Sequence, residues 1–233
     1  MGFPLFFIDY WYIVLVIPVM IASLIIQAIM KSTYNKYSNV RIRTGLTGAE
    51  MAKRVLSEHG IYDVNISVVD GELTDHYDPK SKTIRLSRNV HDGCSVSSVG
   101  VACHEAGHAV QHAQGYFPLV ARNSLVPVVN FCSGISWFVI VIGLFMNHEI
   151  MINLGIILFG TAALFQLITL PVEFNASRRA IASLRNSSMM SDEEVSGTKK
   201  VLSAAAMTYV AALAASLASL LRLILITRGN RRD

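Results

Sequence analysis

The stretch His104-Glu105-Ala106-Gly107-His108 carries two imidazoles four residues apart, with a carboxylate directly after the first. On a helix, four residues are slightly more than one turn, so both histidines leave the same face. They can grip one metal ion between them, with Glu105 beside it. Two nitrogen ligands and a carboxylate that takes a proton from a metal-activated water are the working parts of a zinc peptidase. The plain alternative is a helix that carries these residues by chance.

A helix of this kind needs a scaffold, and the composition says which sort. The chain has 233 residues, 52% of them hydrophobic and only 15% charged, and its mean hydropathy is +0.46. A soluble domain of this length carries more charge, so membrane spans are expected. The three cysteines, Cys94, Cys103 and Cys132, form no ligand spacing and are odd in number, which speaks against a disulfide framework. The net charge of +4 is modest, and the basic residues flank apolar runs. That pattern reads as membrane topology, with no nucleic-acid partner expected.

Tyr10 to Met30 is the first apolar run, with Phe6, Phe7, Tyr10, Trp11 and Tyr12 at its start. About 21 residues at roughly 1.5 Å each span one bilayer core. It lacks a basic leader and a small-residue cleavage site, so it reads as a retained anchor rather than a signal peptide. Lys31, Lys36, Arg41, Arg43, Lys53 and Arg54 follow it, and no Lys or Arg precedes it. The positive-inside rule then places the N-terminus outside and residues 31–118 in the cytoplasm.

That segment is the main polar part. Thr47 and Glu50 form a capping-box pattern that predicts a helix over 48–59. Residues 64–69 alternate as a strand, and Leu73–Tyr77 and Thr83–Leu86 read as two more around the turn Asp78-Pro79-Lys80-Ser81. Ser95 or Ser97 is placed to cap the helix that carries HEAGH, and Gly115 to end it. Two further spans follow, Ser124–Met146 and Ile150–Val172, separated only by Asn147, His148 and Glu149. Residues 189–200 are polar and read as a loop or a helix start. Ser203–Leu221 is the fourth span, rich in Ala and Ser.

The expected fold is therefore a multi-pass α-helical membrane protein with a small α+β, zincin-like cytoplasmic unit and about four transmembrane helices. The parts are an anchor (1–30), a catalytic unit (31–118), a transmembrane hairpin (119–172), a second cytoplasmic segment (173–200) and a last transmembrane helix with a basic tail (201–233). One tension stands in this layout. Four crossings put Arg228, Arg231 and Arg232 outside, against the charge rule, and Arg222 lies within the fourth apolar run. The reading favoured here is that the segment crosses.

A catalytic zinc usually has three protein ligands and one open position. The extended motif HExxHxxGxxH is excluded, because Gln111 and Gln114 stand at the positions that it requires. His112 lies about 12 Å further along the axis than His104 and is rotated by about 80°, so the two cannot share a metal. His148 and Glu149 fall on the opposite membrane face. Glu173 follows Pro171 after two crossings, back on the face of HEAGH, and a carboxylate at the end of an apolar helix invites a functional reading. Asp75, His76 and Asp78 remain as other candidates, and Glu173 paired with Arg178 or Arg179 as the bland one.

HEAGHAVQH at His104–His112, a hairpin of apolar helices, and then EFNASRRA at Glu173–Ala180 resemble the YugP-like family of membrane zinc peptidases. LTDHYDP at Leu73–Pro79 is also similar to that family's pattern. More distantly, the arrangement resembles HtpX and the CAAX prenyl proteases. The resemblance implies a single catalytic Zn2+ held by His104, His108 and Glu173, with Glu105 as catalytic base. The distant relatives carry an aspartate four residues after the glutamate, and here that position is Ser177. The supporting role then passes to Ser177, Asn175 or Asp75.

The implied activity is a zinc-dependent endopeptidase of the gluzincin type in the cell membrane, its active site facing the cytoplasm. Its partners are the lipid bilayer and a polypeptide substrate, foremost a membrane protein. His76, Tyr77 and Arg178 are candidates to stabilise the transition state, each with an ordinary structural use as well. The competing readings are a zinc hydrolase of a narrow substrate such as a lipidated peptide, and a zinc-stabilised scaffold or adaptor without protease activity.

Overall fold

The computed structural model describes residues 9–229, and of residues 228 and 229 only the backbone. Phe6, Phe7 and the tail arginines Arg231 and Arg232 lie outside the described residues. A π-helical turn at Tyr12–Val16 leads into α1 (Ile17–Ser38). Then come α2 (Gly48–Glu58), β1 (Asn65–Val69), β2 (His76–Asp78), β3 (Thr83–Ser87), the short α3 (Arg88–His91), α4 (Val96–Ala113), α5 (Phe117–Phe145), α6 (Glu149–Asn186) and α7 (Asp192–Gly229). Among the described residues, four helices are long and apolar enough to cross a membrane: Tyr12–Ser38, Phe117–Phe145, Glu149–Asn186 and Asp192–Thr227.

The chain divides into two compact units. One is built from Ala28–Val120 and Pro171–Met207. Its core gathers Met51, Val55 and Leu56 of α2, Ile84 and Leu86 of β3, Val99, Ala102, Ala106 and Val110 of α4, and Ala180 and Leu184 of α6. Burying a side chain such as Met51 or Leu86 stabilises by roughly 1.5–3 kcal/mol. The capping box forms as its residues dictate: the Thr47 side chain accepts from the Glu50 amide, and Glu50 accepts from the Thr47 amide. Ser95 caps α4 by accepting from the Ser98 amide at 3.1 Å.

The three strands form a sheet in the order β1-β3-β2, β1 parallel to β3 and β2 antiparallel to it. Asp78 accepts from the Lys80 amide (3.0 Å), the Ser81 hydroxyl (2.7 Å) and Arg85 (3.1 Å), which fixes the β2–β3 turn. The Ser81 and Arg85 bonds hold its carboxyl well below the usual carboxylate range. The second strand is shorter than the pattern predicts. Leu73 takes a left-handed φ of 56°, so the extended backbone starts only at His76.

α6 runs through Pro171 and continues beyond the apolar run that ends at Val172, to Asn186. Val172, Ala176, Ala180 and Leu184 explain this. They recur every four residues, and all are fully buried, so the apolar stripe that seats the helix continues past the proline. α7 begins at Asp192, where Ser191 and Glu194 hydrogen-bond each other's backbone reciprocally.

The other unit is drawn from Met1–Gln27, Ala121–Leu170 and Thr208–Asp233. Within it α5 and α6 meet closely: a Cβ built on Gly155 would lie 3.1 Å from the Ser136 carbonyl and closer still to Ile140. Arg222, the charge inside the fourth apolar run, is paired. Its Nε donates to Asp9 Oδ2 at 2.9 Å, and its guanidinium lies 5.1 Å from the centre of the Tyr12 ring.

Candidate metal centre

α4 and α6 come together at Gly107. A Cβ at this position would sit 2.6 Å from the Ala176 carbonyl oxygen, so only glycine lets the two backbones approach. The crossing sets Glu173 and Ser177, three residues before and one after Ala176, beside the two histidines of α4. His104 Nε2 lies 3.2 Å from Glu173 Oε2, and His108 Nε2 lies 3.6 Å from the same oxygen. One ligand atom from each of His104, His108 and Glu173 falls within 4.8 Å of the others.

The other ring nitrogens are engaged as well. His104 Nδ1 lies 3.1 Å from Ser177 Oγ, and His108 Nδ1 3.0 Å from Gln111 Oε1. Both Nε2 atoms are thereby turned toward the Glu173 carboxylate. His108 and Glu173 are buried, at 6% and 3% exposure. Two imidazoles and one carboxylate converging on one point match the three protein ligands of a catalytic zinc.

Glu105 is buried next to this cluster. Burial pushes its carboxyl up to about 7, with the Glu173 and Asp75 carboxylates adding to the rise and His104 and a hydrogen bond from the Tyr77 amide opposing it. A carboxyl that titrates near neutrality is suited to receive a proton and give it back.

The remaining sequence candidates take varied places. Asp75 accepts from the Ser87 amide at 2.7 Å and from its hydroxyl at 3.1 Å, joining the start of β2 to the end of β3. His76 is exposed, with Nδ1 2.7 Å from the Thr74 carbonyl. The Tyr77 hydroxyl lies 2.9 Å from His112 Nδ1, and burial, joined by Asp63 and Asp78, pushes it up to about 12. Arg178 is exposed on α6. Asn175 accepts from Gln111 Nε2 at 2.9 Å and from Arg179 Nε at 2.7 Å. Neither Asp75, His76 nor Asp78 joins the three-ligand cluster.

From sequence alone Gln111 is only a mismatch to the extended motif, although its place three residues after His108 is the signal that could have found it. Gln114 is likewise only a mismatch there and Arg179 only a candidate partner of Glu173, whereas Arg179 Nη1 donates to Gln114 Oε1 at 2.6 Å.

With this geometry in hand, the chain can be compared with known proteins. Residues 12–228 match a family described as "Putative neutral zinc metallopeptidase". The chain belongs to that family. It is also 48% identical over 204 residues to a Bacillus subtilis (strain 168) protein named "Putative membrane protease YugP", covering 88% of this chain and 91% of that one. No solved structure matches. The zinc metallopeptidase family and the four apolar helices agree with the class of protein that HEAGH and the hydropathy imply.

Proposed function

We propose that the chain is a membrane-spanning zinc endopeptidase that cuts membrane proteins, or cytoplasmic segments lying close to the bilayer, at the cytoplasmic face. The convergence of His104, His108 and Glu173, with Glu105 buried beside them, carries this reading.

His104, His108 and Glu173 would hold the ion. Zinc, when bound, supplies a Lewis acid that acidifies water and polarises the scissile carbonyl. Glu105 accepts the proton of the attacking water and passes it to the leaving amine, which needs a carboxyl able to exist in both states near neutral pH. The Tyr77 amide holds that carboxyl in place from β2. Ser177 and Gln111 orient the two imidazoles.

β2 pairs with β3 on one side only and is an edge of the sheet. An extended polypeptide that adds to this edge runs past Glu105 and is read through its backbone, which tolerates varied sequence. His76, Tyr77 and Arg178 are the proposed donors to the developing oxyanion. The orientation rests on the basic residues at 31–54 and 178–200, against none before the first span.

The test is Glu105→Gln in purified full-length protein, with bound zinc and cleavage of an unfolded protein substrate both measured. Zinc retained with cleavage reduced by about 10²–10⁴-fold is the expected result. Unchanged cleavage overturns the reading. A wild-type protein that holds zinc but cuts nothing leaves the scaffold role in its place.

A further inference from the structure

We propose that Gln111 is a positioning residue that presets His108 for metal capture, and that Asn175 of α6 fixes Gln111 in the one orientation that does so. This rests on the metal-site reading above.

Gln111 is fully buried. Its Nε2 donates to two acceptors at once, the Val172 carbonyl at 2.8 Å and Asn175 Oδ1 at 2.9 Å. Neither acceptor has a hydrogen to offer, so the amide cannot be turned over without setting oxygen against oxygen at both contacts. The orientation of Asn175 is fixed in its turn, because the same Oδ1 accepts from Arg179 Nε at 2.7 Å. Arg179 is held at its other end by Gln114 Oε1, at 2.6 Å. The carbonyl oxygen of Gln111 is therefore the atom that faces His108 Nδ1, at 3.0 Å.

An amide oxygen only accepts. It holds a proton on Nδ1 of His108, so Nε2, the atom that faces the Glu173 carboxylate, is the nitrogen left to meet an ion. His104 is supported differently. Its Nδ1 partner is the Ser177 hydroxyl, which can donate or accept and so imposes no tautomer. Of the two histidines, His108 is the one whose Nδ1 proton is fixed before an ion arrives. The supporting chain joins α4 to α6 across the ligand set, so the spacing of the ligands and the tautomer of one of them depend on the same bonds.

The experiment uses full-length protein in detergent and compares wild type, Gln111→Met and Met51→Ala. Gln111→Met keeps the side-chain length and removes the acceptor. Met51→Ala opens a cavity elsewhere in the same core, as a control for lost stability. Zinc affinity is measured by chelator competition. In the metal-free protein, thermal midpoints and the ring-nitrogen shifts of 15N-labelled histidine are recorded.

The expected result is a 10–100-fold weaker zinc affinity in Gln111→Met, with the Nδ1–H signal of one histidine replaced by a tautomer mixture. Met51→Ala loses stability but keeps its zinc affinity within about threefold and its tautomer pattern. Wild-type zinc affinity in Gln111→Met, an unchanged tautomer pattern, or an equal loss of affinity in both variants overturns the proposal. Failure of the wild type itself to bind zinc instead overturns the metal-site reading, so the two failures are distinct.

Discussion

The α-carbon of Gly107 faces the carbonyl of Ala176 so closely that a single added methyl would lie 2.6 Å from that oxygen. The two inner positions of the HExxH motif place no demand of their own on metal chemistry, yet here the second must be glycine, because Glu173 reaches His104 and His108 only if α6 passes at this distance. Gly107→Ala should push α6 away, at a cost of about 1–3 kcal/mol for overpacking. A displacement of about 1 Å in a ligand should lower cleavage by about a hundredfold. Gly134→Ala, where a Cβ meets nothing within 4 Å, should leave both thermal midpoint and cleavage near wild type. Equal behaviour of the two variants would show that the crossing does not set the site.

The sequence makes some of this arrangement legible and hides the rest for physical reasons. His104, Glu105 and His108 share one helix, so periodicity alone places them. Glu173 follows from the parity of membrane crossings together with the family resemblance. Gln111, Asn175 and Arg179 are different, because their bonds join α4 to α6 across some 60 residues of chain. Which amide faces which depends on the helix crossing, and no spacing rule reports that. The same holds for Tyr77. Its place in a strand is readable, but the bond from its amide to Glu105 depends on how β2 docks against α4. Hydropathy shows only the apolar run up to Val172, while the buried stripe from Val172 to Leu184 carries the helix onward to Asn186.

In the proposed metal centre Glu173 is the anionic ligand, so its removal should act on metal content before anything else. Glu173→Ala should reduce zinc that survives dialysis from stoichiometric to a small fraction, with the fold retained by circular dichroism. Glu173→Asp shortens the side chain by one methylene, about 1.5 Å, and should bind zinc more weakly than wild type but better than the alanine variant. Undiminished zinc in Glu173→Ala would remove this residue from the ligand set.

Glu105 gives a pH signature in the metal-free protein. Its carboxyl titrates near 4.5 when unperturbed and at about 7 in the fold, chiefly because it is buried. The folded state therefore holds the proton more tightly than the unfolded chain does. This contribution to stability is fully present below pH 4.5 and is lost as the pH rises through 7. The loss is on the order of a few kcal/mol. The thermal midpoint of metal-free protein should be lower at about pH 8 than at about pH 5, and Glu105→Gln should flatten that slope. A slope that persists unchanged in Glu105→Gln would assign it to another group.

Asp9 and Arg222 bring the start of the first apolar helix against the last third of α7. The contact puts a counter-ion on the arginine that otherwise interrupts the fourth apolar run. Arg222→Ala leaves the largely buried Asp9 carboxylate without its counter-ion, and a polar group stranded in this way costs on the order of 1–3 kcal/mol. The single variant should lower the thermal midpoint and the yield of folded protein. The exchange Asp9→Arg with Arg222→Asp should recover most of the loss, because the pair is re-formed with its ends reversed. A swap as damaging as the single change would mean that the two residues do not act as a pair.

The Asp9–Arg222 contact also bears on topology. If the two ends of the bundle that carry these residues lie on one membrane face, the number of crossings is even, and α7 crosses in full. The orientation proposed above, from the basic residues after the first span, then puts residues 31–118 on the cytoplasmic side. Tyr62 is 82% exposed, so a cysteine introduced there is open to a membrane-impermeant thiol reagent wherever the segment is wet. In intact cells Tyr62→Cys, built on a chain whose three native cysteines are replaced by serine or alanine, should stay unlabelled, and it should label once the membrane is permeabilised. A cysteine placed at the start of the first apolar run should show the reverse, labelling in intact cells. Labelling of Tyr62→Cys from outside would turn the whole bundle over and place the metal centre on the outer face.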